Sequence, residues 1–324
     1  MVFCGNNFAI PQIAHGWCIK TGFLADKIQI VRRPSRLHMV APNRDLAIGC
    51  AFFHPNKKGK TMKALFLGYG RMGSAIGTAW LNSQLVEQVV AIDPGLAADA
   101  HAAVYADAAL VPSQAFDVIV VAVKPGMVQP VLSRLSDALC ADAVVVSVAA
   151  GITLASLEQA IGGRCPVVRA MPNTPVLVGA GCTGLFGGNG LTQRQRESVG
   201  RLFATVGSAH WVEQEPQLDA VTALSGSGPA YYHLFSEALA QAGVRLGLPP
   251  ELARRLAADT AFGAAALQRA PQADFAALRL AVTSSNGTTA AAIEVFEHDS
   301  ALRELVRRAA SAAALRSEAL SRGE

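Results

Sequence analysis

The sequence predicts a doubly wound α/β domain on a parallel sheet, followed by an all-helical domain. Short, wholly apolar runs alternate with helical spacing from Met62 to residue 214, and such runs suit parallel strands buried on both faces. After Glu215 the strand signals stop and every patterned stretch has helical spacing. At 324 residues and 51% hydrophobic content the chain is long enough for two such domains of a soluble globular protein.

In order, KALFLG (63–68) reads as a strand, SAIGTAWLNS (74–83) as a helix and VVAID (89–93) as a second strand. DVIVVAV (117–123) is a further strand, PGMVQPVLSRLSDAL (125–139) one helix, and AVVVSVAAG (143–151) and VVRAMPNTP (167–175) strands that run into loops. Residues 62–214 form the expected α/β domain and 215–324 the helical one. Within the latter, 229–246, 249–269 and 287–321 carry helical spacing, with GLPP (247–250) as a stop and restart. These helices carry few charges for their length, which predicts a face buried against a second copy of the chain.

Residues 1–61 hold nine Lys or Arg against Asp26 and Asp45, a balance of +7, which leaves 62–324 at −3 within a whole-chain charge of +4. The basic character therefore belongs to this segment, and the body offers no nucleic-acid surface. The segment lacks any sustained period and is expected to be disordered. It reads either as a basic targeting or interaction arm or as a mis-called start ahead of a true first residue at Met62. It lacks the basic start and apolar core of a secretory signal, and no long uncharged apolar run suggests a membrane span. Cysteines at 4, 18, 50, 140, 165 and 182 form no C-x-x-C and no metal-spaced cluster. The expectation is no structural disulfide, no metal and a cytoplasmic location.

The first strand runs into GYGRMG, residues Gly68, Tyr69, Gly70, Arg71, Met72 and Gly73, in Rossmann-type G-x-G-x-x-G spacing. Gly68 permits the tight turn, Gly70 admits a pyrophosphate to the backbone, and Gly73 lets helix pack on strand. Asp93 ends the next strand, 20 residues after Gly73. It reads as an acceptor for the adenosine ribose hydroxyls or as a turn-capping carboxylate. No Lys or Arg follows it in PGLAADAHAAV to hold a 2′-phosphate, so on the first reading NADH is slightly favoured over NADPH. Ala122, Val123, Lys124 and Pro125 end another strand at the edge where ligands gather. Ala149 and Gly151, with Ser147, and Asn173 of MPNTP reach the same edge. Lys124 also fits an ordinary surface lysine, and Pro125 an ordinary first-turn residue. ALSGSGPAY (223–231) fits a helix cap or a close backbone approach.

AVTSSNGTTAAAIEVFE (281–297) crowds hydroxyls before a helix and carries no charge until Glu294. A cap needs only one such side chain. Ser284, Asn286, Gly287, Thr288 and Thr289 instead offer the uncharged N–H and O–H donors that capture a small carboxylate, assisted by the helix dipole.

Taken together, GYGRMG, AVKP, SVAAGI, RAMPNTP, VGAG, DAVTALSGSGPAY and VTSSNGTT resemble the pyrroline-5-carboxylate reductase family, in its order and approximate spacing, over Met62 to Glu318. The resemblance implies reduction of L-1-pyrroline-5-carboxylate to L-proline by NADH or NADPH, the last step of proline biosynthesis. It implies a helical domain that interlocks in a homodimer and, in many members, a larger homo-oligomer. By that analogy Ser284 and the loop amides hold the substrate carboxylate, and the catalytic Thr289 hydroxyl reaches the ring nitrogen. The family commonly shows Ser-Pro-Gly-Gly-Thr-Thr, whereas this chain has Ser284-Ser285-Asn286-Gly287-Thr288-Thr289. Loss of Pro frees φ at 285, and Asn accepts a left-handed conformation at some cost. Two rivals are a two-domain β-hydroxyacid dehydrogenase and a non-catalytic nucleotide-binding homologue. The first wants a catalytic lysine in the second domain, and 215–300 holds none.

Overall fold

Successive side chains of a strand point to opposite faces, so a fully apolar strand supplies two cores at once. The computed structural model describes residues 61–324 and shows this layering. The strands are β1 (Met62–Leu67), β2 (Val86–Ile92), β3 (Ala103–Tyr105), β4 (Val118–Val121), β5 (Val144–Ser147), β6 (Val167–Met171), β7 (Gly181–Gly187) and β8 (Gly207–Trp211). They form one sheet in the order β3-β2-β1-β4-β5-β6-β7-β8. Ala64, Phe66, Val120, Val146 and Val168 face one side with Ile76 and Trp80 of helix α1 (Arg71–Asn82). Leu65, Leu67, Ile119, Val121 and Val145 face the other. There they meet α2 (Val128–Ser133), α3 (Asp137–Cys140) and α4 (Leu154–Ile161) through Leu132, Leu139 and Leu157. The expectation about the segment before Met62 lies outside the described residues.

Two expectations need correction. The sheet is not wholly parallel, because β6 and β7 pair antiparallel. Their connection, Pro172 to Ala180, holds only a short 3-10 turn and is too short for the crossover of a dozen or more residues that a parallel return requires. Strand β8 then returns parallel to β7 after α5 (Gln193–Ala204), whose entry is closed by a Thr192–Gln195 capping box. The stretch 125–139 is not one helix but a 3-10 turn at Pro125–Met127 followed by α2 and α3. The Arg164 guanidinium satisfies carbonyls freed by the break, donating to Leu135 O at 2.5 Å and Leu132 O at 3.3 Å.

Beyond Trp211 the chain is helical: α6 (Gln217–Val221), α7 (Gly228–Arg245), α8 (Pro250–Gln268), α9 (Phe275–Ala281), α10 (Thr288–Glu297) and α11 (Ala301–Ser321). A π-helical turn at Thr222–Gly226 joins α6 to α7, closed by Ser227 N–H donating to Thr222 O at 2.8 Å. The helical stretch 287–321 is interrupted at His298–Ser300, where Asp299 and Ser300 take φ of 51° and 56°. Glu297 at that corner receives Arg279 at 2.8 Å and Arg303 at 2.6 Å. Large apolar side chains stay uncovered, among them Leu246, Phe262 and Val295 at 85%, 78% and 73% exposure. No described helix is long and apolar enough to cross a membrane, and the described cysteines, Cys140, Cys165 and Cys182, are free.

Candidate active site

The strand order reverses between β1 and β4, and the C-terminal ends of β1, β4, β5 and β6 lie on one edge. An open parallel sheet binds its ligand at such a switch point. Gly68 takes a φ of 84°, which a side chain resists, and a Cβ there would stand 2.8 Å from the Ala122 carbonyl oxygen and from Val123 Cγ1. A Cβ on Gly73 would stand 2.7 Å from the Gly68 carbonyl oxygen. At Gly70 it would meet nothing within 4 Å. The open cradle at Gly70 therefore lies between two tightly packed glycines. Gly70 caps α1 without any side-chain hydrogen bond, so the first-turn amides of Arg71, Met72 and Gly73 face that opening without a capping side chain. The cradle fits a pyrophosphate.

The other predicted cofactor residues divide. Tyr69 turns its ring into the core at 2% exposure, edge-on to Phe66 with centroids 5.3 Å apart. Burial, then the Asp99 charge, pushes its hydroxyl up to about 12. Only its backbone remains for the loop, and its N–H donates to Asp93 Oδ2 at 2.8 Å. Asp93 Oδ1 accepts from Gly95 N–H at 2.9 Å, so this carboxylate caps the turn after β2 while fixed at the expected place. Ala122 is locked to β1 by its N–H donating to Leu67 O at 2.8 Å, and Lys124 and Pro125 are exposed at the rim. Ala149 N–H donates to Ser147 Oγ at 3.3 Å, and Gly151, φ 74°, lies under Leu320 of α11. Asn173 is spent on the chain itself: its amide donates to Ser225 O at 3.0 Å and accepts from Cys182 N–H at 2.8 Å.

In the second region, α10 begins after Gly287, and no side chain caps it. Thr283 Oγ1 donates back to Arg279 O, and Gly287 N–H closes a turn on Ser284 O at 3.1 Å. Asn286 takes the left-handed φ of 58°, and a Cβ on Gly287 would collide with Ser284 Oγ. Among the described residues the hydroxyls of Ser284, Thr288 and Thr289 make no hydrogen bond, and no side chain caps the first-turn amides of α10. No hydrogen bond among the described residues joins 284–289 to the sheet edge.

Sequence reasoning passed over two charged residues beside the edge. Arg169, on β6, pairs with Glu215 at 2.5 Å, their side chains 12% and 28% exposed. Glu215 Oε1 also accepts from Leu154 N–H at 2.7 Å. A lone Arg inside VVRAM was the available sign, because a charge within a buried strand requires a partner.

The comparisons with known proteins match the same two regions. A family profile described as pyrroline-5-carboxylate reductase dimerisation matches residues 215–320, and one described as NADP oxidoreductase coenzyme F420-dependent matches 63–151. The chain is 42% identical over 269 residues to pyrroline-5-carboxylate reductase of Pseudomonas aeruginosa, covering 81% of this chain and 97% of that one. It resembles the structure of a pyrroline-5-carboxylate reductase from Coxiella burnetii at a TM-score of 0.74 and 34% identity, covering 81% of this chain and 99% of that one. The Plasmodium falciparum pyrroline carboxylate reductase with NADP bound gives a TM-score of 0.70 at 29% identity, covering 80% and 98%.

Proposed function

Because this chain belongs to the pyrroline-5-carboxylate reductase family, we propose that it reduces L-1-pyrroline-5-carboxylate to L-proline with a reduced nicotinamide dinucleotide. The observation that carries the assignment to these residues is the open cradle at Gly70 in one half and the uncapped, uncharged entrance of α10 in the other. The first holds a pyrophosphate; the second holds a carboxylate.

A reduced nicotinamide, when bound at this edge, would supply the hydride that the imine carbon accepts. The chain supplies position. The amides at the start of α10 and the Ser284 hydroxyl take the substrate carboxylate, which fixes the ring, and the Thr289 hydroxyl orients the nitrogen proton. A cyclic imine is protonated in solution before or during binding, so no buried acid is needed. The resulting iminium takes the hydride and leaves as the amine. Holding two reactants in line is worth roughly 7–11 kcal/mol of barrier in well-oriented systems, enough to make alignment the main task of the protein.

The finer reading is NADH ahead of NADPH. Asp93 is held in place by two backbone N–H groups, and a fixed carboxylate at the end of β2 repels a 2′-phosphate. Two chains act together: the uncovered apolar side chains and the dimerisation profile support a homodimer built through 215–320.

The test is loss of dihydronicotinamide absorbance on adding L-1-pyrroline-5-carboxylate to the purified chain. No substrate-dependent loss with either dinucleotide sinks the activity, and a strong preference for NADPH sinks the Asp93 argument. Thr289→Val is expected to lower turnover or raise the substrate KM while leaving NADH binding unchanged.

A further inference from the structure

On the dinucleotide-binding reading above, we infer that Glu215 is a positioning residue for the cofactor: its carboxylate, aligned by Arg169, fixes the loop between β5 and α4 that carries Ala149 and Gly151. The loop spans Val148 to Thr153 and is anchored at three points. At its start Ser147, 2% exposed, accepts from Ala149 N–H. At its middle, Leu320 packs on Gly151, with a Cβ on that glycine 3.2 Å from Leu320 Cβ. At its end Glu215 Oε1 accepts from Leu154 N–H, the first amide of α4, at 2.7 Å.

Arg169 explains why the acid sits there. In the sheet register it stands opposite Ser147, so its guanidinium rises beside the loop and donates to the same Oε1 at 2.5 Å. Charge-assisted bonds of this kind fix an acceptor more firmly than neutral ones. The backbone of Glu215 is committed as well, its carbonyl accepting from Leu218 N–H at 2.9 Å in the first turn of α6. One residue thus registers the cofactor edge against the helix that continues through the π turn, where Ser225 holds Asn173. Helix α4 keeps a second cap without it, since Thr153 Oγ1 accepts from Ser156 N–H at 3.2 Å. Removing the carboxylate therefore releases the loop before it unravels the helix.

The experiment is a titration of the purified full-length chain with NADH alone, followed by fluorescence, beside thermal melts and steady-state kinetics. Glu215→Ala is expected to bind NADH about five- to tenfold more weakly, the size of one lost hydrogen bond of ordinary net strength. The kinetic loss should fall on KM for NADH more than on kcat. Glu215→Gln keeps an oxygen for Leu154 N–H and should recover most of the affinity. Glu215→Ala with wild-type NADH affinity overturns the inference whatever its melting temperature. So does Glu215→Gln as weak as Glu215→Ala, because the anchor to Leu154 would then carry nothing. If Glu215→Ala does not fold, Arg169→Lys decides: weaker NADH binding supports the alignment and unchanged binding overturns it. A wild-type chain that binds NADH but reduces no imine refutes the proposed activity and leaves this comparison intact.

Discussion

Gly70 and Gly73 stand three residues apart and answer to different constraints. Gly70 has an ordinary φ of −71° and open space where a Cβ would go, so Gly70→Ala should leave the melting temperature nearly unchanged while weakening NADH binding. Gly73→Ala places a Cβ 2.7 Å from a backbone oxygen that cannot swing aside, and should cost about 1–3 kcal/mol of stability. Melts and NADH titrations of the two variants should therefore separate. Tyr69 gives a pH signature. Its hydroxyl, pushed up to about 12 by burial, is neutral in the fold where the unfolded chain ionises near 10. That contribution is fully present below pH ~10 and lost as pH rises towards ~12, in total about 2–3 kcal/mol. Tyr69→Phe should flatten the alkaline fall in stability, and an equally steep fall in the variant would refute this. At Tyr69 the motif gives the backbone position but not the direction of the ring, which the loop turns inward.

At the scale of elements, the left-handed turn before α10 decides how the donors point. Asn pays less than other side chains for φ near 58°, so Asn286→Ala should cost about 1–2 kcal/mol locally and raise the substrate KM. Asn286→Gly should relieve that strain, and equal substrate KM values in the two variants would show that the turn does not orient the site. This loop was legible because its composition is anomalous for a cap, and the GYGRMG turn because a strand and a helix flank it. Strands β7 and β8 were not: GCTGLFG and GSAHW are interrupted by Gly or Ser and lack a period-two pattern. The break at His298–Ser300 was hidden because the helical residues on both sides keep their spacing while only the backbone turns. The Arg169–Glu215 pair spans 46 residues, and no local pattern reports a partner that distant.

For the whole molecule, the helical region presents more apolar side chain than a lone chain keeps in water, and a second copy is the expected cover. Phe262→Glu puts a charge into that face and should shift the protein towards single chains in light scattering, with loss of imine reduction. An unchanged mass would place the interface elsewhere. The contact of Leu320 with Gly151 also sets an order of events at the ribosome. Parallel strands can begin to assemble as they emerge, but α11 follows them in the chain, and its final turn is what seats on the loop after β5. A nascent chain can thus own its sheet while one of the three loop anchors is still to be made, and the loop after β5 is fully held only once α11 has joined it.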